Sequence, residues 1–161
     1  MPGEPRPVYW DACVLLSYIN EVTERVSVID ELLRQSRAGE VRLLTSALSQ
    51  VEVAFAASEK EQAALDPEVE QRIAELWTPG SPITPVEFYD LIGDRARALM
   101  RQGISQGWGR LSAADAIHLA TAQQMAVEEF HTYDGDLLKW SGHVGFPVTE
   151  PETIQGQLGT G

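Results

Sequence analysis

Cysteine occurs once in the chain, at Cys13. A single thiol excludes an internal disulfide and an all-cysteine metal site, and it fits a reducing, cytoplasmic setting. No apolar run approaches the length of a membrane span, so no membrane association is expected. The opening stretch MPGEPRPVYWD has no basic region followed by a long apolar run, and no secretory signal is expected from it. A glycine-rich nucleotide fingerprint is missing too. So are internal repeats, and the turn cluster TPGSP is too short to separate independent domains.

Positive charge is also scarce. Twelve Lys and Arg against 24 Asp and Glu leave a formal net charge of -12. That argues against broad electrostatic attraction to nucleic acid, which calls for a basic surface. It leaves nucleic-acid chemistry open where multivalent cations offset a local acidic cluster and a basic partner offsets the rest. The few cations are unevenly placed: Arg95, Arg97, Arg101 and Arg110 fall close together, whereas the stretch from Glu59 to Glu75 is acid-rich.

What the chain does have is a core. Its 161 residues suffice for one domain, and the 43% that are apolar are spread along most of the length. PVYW reads as a short buried strand ending at Asp11, followed by helices over VLLSYIN and VSVIDELLRQSRAG, the second stopped at Gly39. EVRLLT reads as a strand with Ser46 as the cap of a single helix over LSQVEVAFAASEKEQAAL. A further helix covers EVEQRIAELW, and PITPV holds a short third strand. Thr84 as cap, Pro85 at the first helical position and Glu87 three residues on mark a helix through EFYDLIGDRARALMRQG. ISQGWGR is then a loop, and Ser112 opens the helix LSAADAIHLATAQ. VEEFHTYD reads as a strand, DLLKWSG as one or two helical turns stopped at Gly142, and VGFPV as an edge strand. Short strands separated by crossover helices indicate an α/β fold, a three-layer sandwich with a mostly parallel central sheet flanked by helices. One domain is expected over residues 1–148, with a polar tail over 149–161.

Ligands of open parallel sheets collect beyond the carboxyl ends of the strands. Asp11 and Asp134 stand at strand ends, Glu52 lies about two turns into the helix after EVRLLT, and Asp115 sits in the first turn of its helix. Carboxylates gathered at one edge repel and rise in pKa unless a cation compensates, and hard oxygen ligands suit Mg2+ or Mn2+. Each acid has a plainer reading. Asp115 completes a capping box with Ser112, Glu52 is solvated surface, and Asp134 before Gly135 starts a turn. Asp11, flanked by VYW and ACVLL, has the least water near it.

Four segments, VYWDACVLLSYI, LLTSALSQVEVAFA, LSAADAIHLATA and FHTYDGDLLK, occur in that order. Together they resemble the PIN-domain ribonucleases, especially the VapC-like toxins of toxin–antitoxin pairs. The resemblance runs from about Val8 to Val148, and the last two segments carry it most specifically. It implies a mostly parallel α/β fold and three or four acids that hold one or two Mg2+ or Mn2+ ions and cleave RNA. Carried over, those acids fall on Asp11, Glu52, Asp115 and Asp134, the hydroxyl residue two before the last acid falls on Thr132, and Asp136 is an accessory ligand through water. The resemblance also implies a cognate antitoxin protein, often placing an Arg near the acids, and a homodimer. The chain departs from the pattern directly after the first acid. The family often has Thr or Ser, then Asn or Ser; here Ala12 and Cys13 stand, and neither is expected to supply the usual oxygen hydrogen bond. Cys13 then packs as a small apolar residue.

Other residues have less specific readings. His118, three residues after Asp115, shares its helix face and either holds Asp115 or touches substrate. His131 is read as structural. Arg95, Arg97, Arg101 and Arg110 are candidate phosphate contacts or simply a solvated face. Trp108, in a loop read as flexible, stacks on an unpaired base or fills a dimer groove. The main alternative function is a non-catalytic RNA- or protein-binding module on the same fold, supported by Ala12 and Cys13. A haloacid-dehalogenase-type enzyme needs a second acid in the DAC position, and a receiver domain needs an acid pair; both fit worse.

Overall fold

The computed structural model describes residues 3–152. Five strands, β1 (Arg6–Trp10), β2 (Val41–Ser46), β3 (Ile83–Val86), β4 (Glu129–His131) and β5 (Val148–Thr149), form one sheet in the order β3-β2-β1-β4-β5. Every neighbouring pair is parallel, with Val8 opposite Leu43 and Glu129, and Phe130 opposite Val148. The chain first moves outward from β1 to β2 and β3, then crosses to the other side of β1 to lay down β4 and β5. The order therefore reverses at β1, and a crevice opens beyond the carboxyl ends of β1 and β4, where ligands of such sheets bind.

Alternation along the strands feeds two cores. Val8, Trp10 and Leu43 face one layer, packed by α1 (Ala12–Ile19), α2 (Thr23–Arg37) and α5 (Pro67–Leu76). Tyr9, Leu44 and Phe130 face the other, packed by α6 (Asp90–Gln106), α7 (Ala113–Gln124) and α8 (Gly135–Leu138). A sheet buried on both faces reads as continuous apolar sequence, as VYW and LLT do. Among the described residues no helix is long and apolar enough to cross a membrane.

Several boundaries differ from the sequence reading. The helix expected over LSQVEVAFAASEKEQAAL is two short ones, α3 (Ser49–Glu52) and α4 (Ala57–Gln62). The chain bends between them to bury Val53 and Ala56. Buried Glu59 holds the new start, one carboxylate oxygen accepting from the Ala56 N–H at 3.0 Å and the other from the Asp66 N–H at 2.9 Å. Ser46 ends β2, and its hydroxyl accepts from the Leu48 N–H, just ahead of α3. Thr84 and Pro85 do not start a helix. They belong to β3, where Pro85 is tolerated because β3 is an edge strand, and α6 begins at Asp90. α6 also continues three residues past Gly103, to a left-handed Gly107. The sheet takes in Thr149, one residue beyond the expected domain end, and most of the expected tail lies outside the described residues.

Candidate active site

The four acids singled out in the sequence line one cavity of about 350 Å³ at this crevice, together with Ala12, Cys13, Leu16 and His118. Each arrives from a different element. Asp11 follows β1, Glu52 ends α3, Asp115 lies in the first turn of α7, and Asp134 caps α8. Parallel strands put their carboxyl ends on a single edge, which is why positions so distant in sequence meet.

Asp11 is almost fully buried, and both of its oxygens are held. The Cys13 thiol donates to Oδ1 at 2.8 Å and the Thr132 hydroxyl donates to Oδ2 at 2.6 Å. These donors are themselves fixed by consecutive backbone amides of the β4–α8 turn. The Tyr133 N–H donates to Cys13 Sγ at 3.2 Å, and the Asp134 N–H to Thr132 Oγ1 at 3.0 Å. Burial pushes the Asp11 carboxyl above its ordinary pKa, while the hydrogen bonds from Cys13 and Thr132 pull it back. The Cys13 thiol is pushed up to about 12, first by burial and then by the Asp11 charge. Cys13 therefore corrects the sequence reading: it does not pack merely as an apolar residue, and a thiol hydrogen takes the place of the missing oxygen donor.

Glu52 accepts from His118, whose Nε2 is 2.6 Å from Oε1; the other ring nitrogen, Nδ1, is 2.7 Å from the Tyr9 hydroxyl. His118 thus engages Glu52 and not Asp115. The Asp115 backbone N–H is capped by the Ser112 hydroxyl at 3.1 Å, which is one half of the expected capping box, and the Asp115 side chain lines the cavity. Burial pushes the Asp115 carboxyl up, and the charges of Asp134 and Asp11 push the same way against a hydrogen bond with Ser112. Asp134 is likewise both turn and cavity residue, its Oδ1 accepting from the Asp136 N–H at 2.9 Å.

Other expectations fall outside the cavity lining. The Asp136 side chain is 86% exposed and stands 3.5 Å from Lys139. Arg95, Arg97, Arg101 and Arg110 are exposed, and none of them lines the cavity. Trp108 is half-buried, stacked on His143 with ring centroids 4.4 Å apart and edge-on to Trp140, so one of its two faces is occupied. His131 braces β1 to β4: its Nδ1 accepts from the Trp10 indole at 3.1 Å, which leaves the hydrogen on Nε2 for Glu129. The sequence reading missed Tyr9 altogether. Its polar partner lies 109 positions away, and nothing local marks it.

The cavity offers hard oxygen donors and its lining contains no Lys or Arg to neutralise them. Among the described residues no three His, Cys, Asp or Glu side chains already converge where they could jointly hold an ion. The chemistry of the donor set nonetheless fits a hard divalent cation, because such a cation offsets the burial that raises both Asp11 and Asp115 and the repulsion from Asp134 and Asp11 that adds to it at Asp115.

The family model described as PIN domain matches residues 8–142. No curated protein matches the sequence. Solved structures that share the fold include the following three. VapC20 from Mycobacterium tuberculosis, described as a Sarcin-Ricin loop cleaving toxin, is 12% identical over 80% of this chain and 91% of its own, with a TM-score of 0.59. A toxin-antitoxin complex from Klebsiella pneumoniae is 22% identical over 91% and 99%, with a TM-score of 0.57. VapBC2 from Rickettsia felis, bound to a DNA fragment from its promoter, is 11% identical over 89% and 97%, with a TM-score of 0.60. At these identities the likeness is one of fold.

Proposed function

The chain belongs to the PIN domain family, and on that premise we propose that it is a metal-dependent endoribonuclease, the toxin of a toxin–antitoxin pair. The observation that carries this reading is the convergence of Asp11, Glu52, Asp115 and Asp134 on one cavity without a cationic side chain among its lining residues.

Asp11, Glu52, Asp115 and Asp134 would hold Mg2+ or Mn2+, one or two ions, with Asp136 at the margin. When bound, such an ion activates water toward phosphorus and offsets charge on the departing oxygen. The chain's own residues then have separate tasks. Thr132 and Cys13 keep Asp11 from rotating, through the hydrogen bonds to its two oxygens. His118 aims Glu52. Arg95, Arg97, Arg101 and Arg110, exposed on α6 and just before α7, contact RNA phosphates outside the cavity. A neutralising antitoxin suits a chain with a net charge of -12, since a basic segment approaching the acids would be attracted to them; the protein is further proposed to act as a homodimer in the cytoplasm. The alternative of a non-catalytic binding module drew on Ala12 and Cys13, and Cys13 no longer supports it because its thiol donates to Asp11.

The test is cleavage of single-stranded RNA by the purified chain. Cleavage is expected with Mg2+ or Mn2+, none with EDTA, and none by Asp11→Asn under either condition. Cleavage by Asp11→Asn in EDTA at the rate of the unaltered protein would overturn the proposal.

A further inference from the structure

Of the four acids, Glu52 has the weakest local support. Asp11 is gripped on both oxygens, and Asp115 and Asp134 stand at capped helix starts. Glu52 ends a four-residue helix, followed by Val53 in a non-helical conformation. Among the described residues its carboxylate has one hydrogen-bond partner, His118 Nε2 at 2.6 Å. The direction of Glu52 is therefore set by the imidazole, and the imidazole is buried, 1% exposed. Its only other polar contact among the described residues is the hydroxyl of Tyr9 at 2.7 Å.

We propose that Tyr9 is a positioning residue for Glu52, acting through His118. A carboxylate only accepts, so the His118 hydrogen facing Glu52 is on Nε2. In the tautomer that carries this single hydrogen, Nδ1 is bare and the phenol donates to it. The phenol is suited to the task because its hydroxyl carries the one hydrogen that a bare ring nitrogen can accept, at a distance of 2.7 Å. The tyrosine ring cannot drift either. It is fully buried in β1, stacked on Phe130 with centroids 4.9 Å apart, and edge-on to the imidazole at 5.8 Å. A ring bonded at both nitrogens has one orientation; a ring bonded at one can swing about the remaining bond. Accepting a hydrogen bond at Nδ1 also polarises the ring and strengthens the Nε2–H donor. Tyr9 thus links the rigid centre of the sheet to the one acid that its own helix leaves loosely aimed.

The inference rests on the reading of Glu52 as part of the acidic site, and the experiment separates the two. Tyr9→Phe keeps the ring and its stacking and removes only the hydroxyl. Cleavage by this variant is expected to fall in kcat by about 10- to 100-fold, the usual effect of losing a partner behind a site ligand, with KM for RNA little changed. Mn2+ affinity, measured without RNA, falls alongside. His118→Leu fills the space and removes every polar atom between Tyr9 and Glu52, so adding Tyr9→Phe to it produces no further loss of Mn2+ affinity. Nitrogen-15 spectra of the imidazoles place the His118 hydrogen on Nε2, with Nδ1 a hydrogen-bonded acceptor that becomes free in Tyr9→Phe. A hydrogen on Nδ1 in the unaltered protein would overturn the proposal. So would an undiminished Tyr9→Phe effect in the His118→Leu background, or a Tyr9→Phe protein with unchanged kcat. If the unaltered protein cuts no RNA, the nuclease reading falls while the spectra still decide the His118 assignment.

Discussion

Thr132 gives its hydroxyl hydrogen to Asp11 Oδ2 across 2.6 Å, although the two residues lie 121 positions apart. The same oxygen of Thr132 accepts the Asp134 N–H, so one hydroxyl ties the end of β1 to the start of α8. Two acids from opposite ends of the chain are thereby kept in fixed relation.

Replacing Thr132 by Val removes both bonds at nearly constant volume. RNA cleavage is expected to fall about 10- to 100-fold, and the buried partners left unpaired lower stability by about 1–3 kcal/mol. Thr132→Ser should recover most of both. Steady-state cleavage rates and urea denaturation of the three proteins check this, and equal activity in the Val variant would contradict the assigned role.

Asp11→Asn should abolish cleavage and remove one pH-dependent contribution to stability when no metal is added; its amide also puts an N–H where Cys13 or Thr132 needs an acceptor, a cost that does not vary with pH. The Asp11 carboxyl titrates above its unfolded value because burial disfavours its charge. The folded state therefore binds the proton more tightly, and stability attributable to this group falls as pH rises from the unfolded pKa through the folded one. The melting temperature of Asp11→Asn relative to that of the unaltered protein should be highest at neutral pH, and that difference should fall as pH drops through this window. Thermal melts of both proteins from pH 7 downward in EDTA would show a constant or inverted gap if this were wrong.

The Cys13 thiol should be nearly inert. With its pKa pushed up to about 12, almost no thiolate exists at pH 8. Iodoacetamide should alkylate the folded protein at least about tenfold more slowly than the same cysteine in urea. Mass spectrometry over time would measure both rates. Cys13→Ser, which retains a donor for Asp11, should keep more activity than Cys13→Ala.

Gly103 should not tolerate a side chain. A Cβ there would run into the Gly109 carbonyl and into the fully buried Trp140 ring at 2.7 and 2.8 Å. Gly103→Ala gains up to about 1 kcal/mol in helix propensity but loses about 1–3 kcal/mol or more to overpacking. The expected melting temperature is lower by roughly 5 °C. Calorimetry that finds it unchanged or raised would show that Trp140 can move aside.

The contrast between Gly103 and Gly107 shows where sequence reading stops. Either glycine is a plausible helix end; only packing against Trp140 tells that Gly103 lies inside α6 and Gly107, at φ +72°, terminates it. Thr84-Pro85 is a similar case. Its helix-start signal is sound locally, but pairing with β2 draws the residues into an edge strand. Glu59 reads as one acid among many until its carboxylate is seen closing the bend between α3 and α4.

Apolar periodicity and acids at the ends of elements are short-range properties, written in adjacent residues; they indicated the α/β class and the parallel sheet and, with the family resemblance of four short segments, the choice of Asp11, Glu52, Asp115 and Asp134. What only the tertiary structure decided is how those acids are held: Cys13 and Thr132 on Asp11, and Tyr9 behind His118 on Glu52. A hydrogen bond depends on direction and on distances of tenths of an ångström between groups that may be a hundred residues apart, and no local pattern encodes that.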